Sequence, residues 1–182
     1  MISTFRTSDF QISGSAISSH RNIQEGIGFA IGHEKELMVK IIPDDKTKEV
    51  YTIENLTSFY RFQKANSLIV YLGGYHNKVR QQLLLQIYQN LPDAQYYHFG
   101  DIDIGGFQIF YHLREKTGIP FQTYKMDIQT IQKYEQYSKP LTENDRKRLV
   151  KLMETNFAEP EKYLAKYMLE HNIKLEQECI WD

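Results

Sequence analysis

From residue 49 onward, runs of β-branched and aromatic residues alternate with segments whose apolar residues recur every three or four positions. Short runs of the first kind are typical of buried strands, and the second spacing is typical of amphipathic helices. The runs predict four strands, at Glu49–Ile53, Ser67–Leu72, Gln95–Phe99 and Phe121–Met126. The helical spacing predicts three helices between them, beginning after Asn55, after Gly74 and near Gly105.

Strands that alternate with helices indicate βαβ units, and therefore a parallel sheet with right-handed crossovers. We expect an α/β fold, with a small parallel sheet of about four strands sandwiched by helices. The second helix carries one apolar stripe, formed by Val79, Leu83, Leu84, Ile87 and Leu91. The strand ends that precede the helices should lie together at one edge of this sheet.

The last third of the chain shows helical spacing and no convincing strand. Ile128–Tyr137 predicts a short helix, and Thr142–Asp145 resembles a capping box for the next one. A further helix follows Pro160, and its apolar side is formed by Tyr163, Leu164, Tyr167 and Met168. We therefore expect a C-terminal helical extension.

Before residue 46, two short apolar pieces, Ile27–Ile31 and Leu37–Ile42, suggest a hairpin or two edge strands. The chain then divides into three parts. Residues 1–45 form an N-terminal flanking segment of short strands, residues 46–140 an α/β domain, and residues 141–182 the C-terminal helical extension.

The composition excludes several classes of protein. The formal net charge is −1, with 22 Lys and Arg against 23 Asp and Glu, so any contact with nucleic acid must be local. Cys179 is the only cysteine, which excludes an internal disulfide and suits a reducing compartment. Met1–Ser19 has no apolar core typical of a signal peptide, and no apolar run approaches the roughly 20 residues of a membrane span. We expect a cytoplasmic protein that does not contact a membrane.

Two aspartates, Asp101 and Asp103, follow the third predicted strand directly. Alternate residues of an extended segment point the same way, so both carboxylates should project from the edge where open α/β sheets hold their ligands. Adjacent carboxylates repel each other and favour a hard divalent cation such as Mg²⁺. The competing interpretation is ordinary turn chemistry with a helix N-cap. Glu54 follows the first strand and can join them in a carboxylate cluster suited to phosphodiester cleavage.

The order of these strand ends resembles the Toprim domain of topoisomerases, primases and related nucleases. More closely, Ile53–Asn55, Phe99–Phe107 and Leu175–Glu178 resemble the C-terminal domain of the JetD family, the nuclease subunits of Wadjet anti-plasmid systems. That family is itself similar to the A subunit of topoisomerase VI. The resemblance covers roughly residues 46–182, and it implies a Toprim-like, Rossmann-like fold and a DNA endonuclease that uses Mg²⁺, with Mn²⁺ as a substitute.

The resemblance also implies roles for individual residues. Glu54, Asp101 and Asp103 would be metal ligands or, for one of them, a general acid or base. DNA and a condensin-like SMC complex would be partners, JetD proteins carry further N-terminal domains that grip DNA, and a homodimer is one option. The topoisomerase relatives hold their nucleophilic tyrosine on a winged-helix domain. The sequence shows no such domain, so hydrolysis by water is favoured over a tyrosyl intermediate.

Other polar residues near the predicted edge have two interpretations each. Phosphate contacts are expected from a glycine pair and two cations: Gly73, Gly74, Arg80 and Lys125. A tight turn and a solvated helix start explain the pair and Arg80, with its neighbours His76 and Lys78, equally well. Lys125 and Asp127 end the fourth strand near the same edge and have a supporting role as one interpretation.

Glu176 and Glu178 are further candidate metal ligands. They lie two residues apart, so both would face the site if this segment is extended. A solvated polar face is the alternative.

Three functions remain open at this point. The preferred one is a magnesium-dependent DNA endonuclease of the JetD type, acting in defence against plasmid DNA. The second is a compact Toprim ribonuclease, similar to one that matures bacterial 5S ribosomal RNA. The third is a non-catalytic interaction module, in which the acidic cluster stabilises the fold or docks on a partner.

Overall fold

The computed structural model describes residues 3–7, 10–14, 18–19, 27–30, 38–41, 47–154 and 159–181. The residues described before position 46 form five short strands: β1 (Ser3–Thr7), β2 (Phe10–Gly14), β3 (Ser18–Ser19), β4 (Ile27–Ala30) and β5 (Met38–Ile41). β1 and β2 form a separate antiparallel pair. β4 lies antiparallel between β3 and β5, so each of the two apolar pieces before residue 46 contains a strand.

Four parallel strands form the other side of the main sheet: β6 (Glu49–Ile53), β7 (Ser67–Tyr71), β8 (Gln95–Phe99) and β9 (Gln122–Thr123). The order across this seven-stranded sheet is β3-β4-β5-β7-β6-β8-β9, and β5 runs antiparallel to β7. The predicted small parallel sheet of four strands is confirmed. β6 lies between β7 and β8, so the carboxyl ends of these three strands are neighbours.

Three helices connect the parallel strands and three more follow them: α1 (Leu56–Arg61), α2 (Lys78–Asn90), α3 (Ile104–Thr117), α4 (Ile128–Lys133), α5 (Glu143–Met153) and α6 (Glu159–His171). Neighbouring residues of a strand point to opposite faces of the sheet. Val50 accordingly packs in one core with Leu84 of α2, whereas Tyr51 belongs to a second core with Phe59 of α1 and Leu164 of α6. Helices thus cover both faces, which confirms the predicted α/β fold with C-terminal helices.

Polar side chains at the carboxyl ends of the strands begin the following helices. Asn55, Asp103 and Asp127 each accept hydrogen bonds from the first turn of α1, α3 and α4. These bonds satisfy N–H groups that have no partner within the helix. Thr142 and Asp145 exchange hydrogen bonds at the start of α5, so the predicted capping box is confirmed.

The helical stripes differ from the sequence pattern at three positions. In α2, Val79 is 50% exposed, and Arg80 is 4% exposed and joins the inward face. The buried face of α2 therefore keeps Leu83, Leu84 and Ile87 of the predicted stripe and has Arg80 in place of Val79. In α6, Tyr163 is 65% exposed, whereas Leu164 is buried as expected.

Two predicted elements are shorter than expected. The fourth strand, expected at Phe121–Met126, pairs with β8 only at Gln122–Thr123. The Tyr124 N–H still donates to the carbonyl oxygen of His98, and the chain then bends at Lys125, whose φ is +53°. The helix expected at Ile128–Tyr137 ends at Lys133 and is followed by a 3₁₀ turn. Within the described residues, none of the helices has the length and apolar character to cross a membrane.

Candidate active site

The candidate site lies at the carboxyl edge of the sheet, where β6 and β8 end side by side. Glu54 follows β6, and its backbone N–H donates to the carbonyl oxygen of Phe99 at 3.2 Å. Asp101 comes two residues after Phe99, and Asp103 caps α3. Parallel pairing of β6 with β8 therefore brings the three candidate carboxylates to one part of the sheet edge.

A buried histidine orients Glu54. His98 Nε2 lies 2.8 Å from Glu54 Oε1, and the ring is completely buried. The other ring nitrogen, Nδ1, lies 2.9 Å from Thr52 Oγ1. Thr52 is the register partner of His98, and Glu54 lies two residues beyond Thr52, on the same face of the sheet. His98 thus holds one oxygen of Glu54 in place.

Two glycines allow this close approach. A Cβ atom on Gly100 would lie 2.3 Å from Glu54 Oε1 and 3.0 Å from His98 Nε2. A Cβ atom on Gly106 would lie 2.1 Å from the carbonyl oxygen of Asp101. A side chain at position 100 would displace the Glu54 carboxylate, and one at position 106 would displace the backbone of Asp101. Steric exclusion therefore explains why glycine occupies both positions.

Asp101 is the most electrostatically perturbed carboxylate at this edge. Its Oδ1 accepts a hydrogen bond of 2.7 Å from the backbone N–H of Gln177. Burial raises the pKa of Asp101, and repulsion from Asp103, Glu54 and Glu176 adds to the rise, so that the pKa reaches about 6 in spite of this bond. Asp103, Glu54 and Glu176 therefore lie within electrostatic range of Asp101. A cation would relieve the repulsion.

Asp103 both caps a helix and faces the cluster. Its Oδ1 accepts a hydrogen bond of 2.8 Å from the N–H of Gly106. The competing interpretation of Asp103 as an N-cap is therefore correct in its local geometry. A carboxylate has a second oxygen, so this bond leaves Asp103 able to bind a cation as well.

Gln177, which the sequence analysis missed, joins three parts of the site. This buried side chain donates from Nε2 to the carbonyl oxygen of Phe99 at 2.9 Å and accepts at Oε1 from the N–H of Asn55 at 2.7 Å. An antiparallel bridge between Ile102 and Leu175 holds the same C-terminal segment against the site. In the sequence, Gln177 stands out only as a polar residue between two glutamates. That pattern does not predict hydrogen bonds to residues so distant in the chain.

Glu176 and Glu178 face different groups, because the segment turns into a 3₁₀ helix at Gln177–Cys179 instead of staying extended. Glu176 Oε1 lies 2.5 Å from Lys139 Nζ, and its charge also reaches Asp101. Glu178 is exposed, and its Oε2 accepts a hydrogen bond of 3.1 Å from the Asn55 side chain.

The candidate phosphate ligands are dispersed. Gly73 and Gly74 follow β7 at the same edge, with φ angles of +64° and +85°, but α2 begins four residues later, at Lys78. Arg80 is buried, which lowers its pKa and leaves its guanidinium little access to a phosphate in solvent. Lys125 is half-buried beyond β9, on the opposite flank from the glycine pair.

The neighbour of these residues, His76, is buried against His112. Its Nε2 lies 3.1 Å from His112 Nδ1. Burial lowers the pKa of His76 to about 4, and the nearby His112, His98 and Arg80 contribute to this. A neutral, buried imidazole does not neutralise phosphate charge at neutral pH.

The donor set fits a magnesium ion. Among the residues that the structure describes, no group of three or more His, Cys, Asp or Glu side chains is arranged to hold a metal. Mg²⁺ typically takes only one or two protein carboxylates and completes its shell with water and phosphate. The candidate ligands Glu54, Asp101 and Asp103 all offer oxygen. The pKa of Asp101 is raised mainly by burial and also by repulsion from its neighbours, and a cation would offset both.

Fold and site together define an α/β domain with a carboxylate cluster at the edge of its parallel strands. A family model described as "Wadjet protein JetD, C-terminal" matches residues 22–182. The Wadjet protein JetD of Bacillus cereus (strain Q1) is 33% identical over 159 residues, which cover 84% of this chain and 38% of the relative. The chain belongs to the JetD C-terminal family, and the expected resemblance is confirmed. The match begins before residue 46, so it also includes β4 and β5.

Proposed function

We propose that this chain is a magnesium-dependent endonuclease that hydrolyses phosphodiester bonds of DNA. The observation that supports this proposal is the convergence of Glu54, Asp101 and Asp103 at one sheet edge, with the pKa of Asp101 raised to about 6. Such a cluster is unfavourable without a cation. Carboxylates that are partly buried and repel one another are typical of functional sites.

The roles of the residues follow from their contacts. Asp101 and Asp103 each use one oxygen for a backbone N–H and have the other for a cation. A bound Mg²⁺ would polarise the scissile phosphate and lower the pKa of an attacking water. Glu54, whose Oε1 is held by His98, would bind the ion or take a proton at Oε2. Gln177 would keep Asp101 in register with the end of β8.

We further propose that the chain acts in a Wadjet system in defence against plasmid DNA, with a condensin-like SMC complex as partner. Membership of the JetD C-terminal family supports this. The chain spans 38% of the length of the Bacillus cereus relative. We therefore separate the test of metal binding from the test of cleavage, since DNA cleavage can depend on other parts of a JetD protein.

The first experiment measures metal binding by NMR. Paramagnetic Mn²⁺ should broaden the amide signals of Gly100–Gly106 at substoichiometric concentration, and Mg²⁺ should compete. The variants Asp101→Asn and Asp103→Asn retain an oxygen for the bonds to Gln177 and Gly106, so their folds should persist while the broadening weakens. Asp93→Asn, at an exposed position, is the matched control. Undiminished broadening in the double variant would refute the site.

The second experiment measures cleavage of supercoiled plasmid, single-stranded DNA and RNA in Mg²⁺, Mn²⁺ or EDTA. Nicking or linearisation by the wild type and the Asp93→Asn control, but not by the double variant, is the expected result. Cleavage of RNA alone would favour the compact ribonuclease. Metal binding without cleavage, even in a full-length JetD assembly, would favour the non-catalytic module.

A further inference from the structure

A cavity of about 380 Å³ lies next to the candidate site and is lined in part by Phe99. Its walls come from α1 and the residues just after it, the ends of β8 and β9, and the segment that ends at Trp181. This volume is within the range of small-ligand pockets. Phe99 lines the cavity, and its backbone carbonyl accepts from Glu54 and Gln177, so the cavity and the carboxylate cluster share a residue.

One wall of the cavity carries a buried hydroxyl without a partner. Ser58 is 5% exposed, and its Oγ makes no hydrogen bond to any described residue. A buried hydroxyl in this state is unfavourable relative to one that has a hydrogen-bond partner. Its backbone N–H, in contrast, is bonded to Asn55. Because Ser58 lines the cavity, a ligand there could satisfy this hydroxyl after a small rotation of the side chain.

The rest of the lining combines aromatic rings with positive charge. Phe62, Phe99 and Trp181 supply rings, and Trp181 is 42% exposed. Arg61 and Lys125 supply the cations, and Arg61 is exposed. Aromatic faces bind the π-face of a base, and basic groups bind phosphate. None of the lining residues is acidic, although the neighbouring cluster is.

We propose that this cavity binds one nucleotide unit, with its base against the aromatic wall and Ser58 Oγ, and its phosphate at Arg61 and Lys125. The unit comes from an unpaired part of the nucleic-acid strand next to the scissile phosphate, or from a free nucleotide. The first source rests on the proposed function, because the strand would pass from the cavity to the carboxylate cluster. Neither a phosphate nor an apolar molecule alone would use both the cations and the unpaired hydroxyl.

Trp181, the only tryptophan in the chain, reports on the cavity directly. Its fluorescence is measured in EDTA during titration with dAMP, with deoxyribose 5-phosphate, or with a short single-stranded oligodeoxynucleotide. N-acetyltryptophanamide corrects for absorption by the bases. We expect saturable quenching by dAMP and the oligonucleotide, and binding of the base-free sugar phosphate at least several-fold weaker.

Four variants test the assignment. Arg61→Gln and Lys125→Asn should each weaken dAMP binding roughly tenfold, because each removes a charge-assisted bond. Asn suits the φ of +53° at position 125. Ser58→Ala should weaken dAMP binding several-fold and leave binding of the sugar phosphate unchanged. Lys147→Gln, at an exposed position of α5, is the matched control and should bind as the wild type does.

The outcomes distinguish the sources and the two proposals. Quenching by the oligonucleotide supports the strand as the source, and quenching by dAMP alone supports a free nucleotide. The proposal would be overturned if neither dAMP nor the oligonucleotide quenched the fluorescence saturably. It would also be overturned if the Arg61→Gln, Lys125→Asn double variant bound dAMP as tightly as the wild type does, or if the wild type bound the sugar phosphate as tightly as dAMP. Asp101→Asn should bind dAMP as tightly as the wild type does. Nucleotide binding can therefore be found even if the nuclease proposal fails, and metal-dependent cleavage can be found even if the cavity binds no nucleotide.

Discussion

Replacing Asp101 by Asn should make the metal-free protein more stable at neutral pH. Burial disfavours the charged form of Asp101, and three neighbouring carboxylates add repulsion, so its pKa rises to about 6. An Asn oxygen can still accept the hydrogen bond from the Gln177 N–H. The substitution therefore removes the unfavourable charge with little change in shape.

The magnitude follows from the pKa. A rise from the ordinary value of 3.8 to about 6 corresponds to about 3 kcal/mol, at about 1.4 kcal/mol per pH unit. The partial exposure of Asp101, and the weaker bond to a neutral acceptor, reduce the expected gain to about 1–2 kcal/mol. The folded state binds this proton more tightly than the unfolded state does. The stability that protonation contributes is therefore complete below pH 3.8 and is lost as the pH rises to about 6.

Urea unfolding in EDTA measures this effect. The advantage of Asp101→Asn over the wild type should be largest at about pH 7.5 and should disappear at about pH 4. Asp93→Asn, at an exposed position, should differ from the wild type by less than about 0.5 kcal/mol at either pH. The reasoning is refuted if Asp101→Asn has no advantage at the higher pH, or the same advantage at both.

Three further substitutions test the supports of the site. Gly100→Ala should lower the free energy of unfolding in urea by about 1–3 kcal/mol, because its methyl group would lie 2.3 Å from Glu54 Oε1; a wild-type value would mean that Glu54 moves aside freely. His98→Leu cannot donate to Glu54 and should weaken Mn²⁺ binding about 10–100-fold by calorimetry; unchanged affinity would exclude a positioning role. Gln177→Ala should cost about 2–4 kcal/mol in urea unfolding, since it leaves buried partners unsatisfied, and a loss below about 1 kcal/mol would contradict this account.

The sheet and the place of the carboxylates were predictable from the sequence, because both depend on short-range rules. A period of two marks a half-buried strand, and parallel strands all end at one edge of a sheet. Glu54 follows β6 directly and Asp101 comes two residues after β8, so the sheet edge at which they lie could be predicted before any of their contacts. Helix caps are equally local: Asp103 and Thr142 each bond an N–H three residues ahead.

Contacts between distant residues required the tertiary structure. His98 reaches Glu54 across 44 positions, and Gln177 reaches Asp101 across 76. The first depends on the register of β6 with β8, and the second on how the C-terminal segment docks at Ile102. The periodicity of the sequence predicts neither the register of the two strands nor the position at which the C-terminal segment docks.

Helix orientation was likewise decided by packing. A spacing of 3.6 residues defines an apolar stripe on a helix. It does not determine which of two adjoining positions at the border of the stripe is buried. In α2 the sheet and α3 together select the face that buries Arg80 and exposes Val79. The sequence alone thus determined which carboxylates meet at the sheet edge, whereas the tertiary structure determined what holds them and which cations remain within reach, because these depend on the packing of segments far apart in the chain.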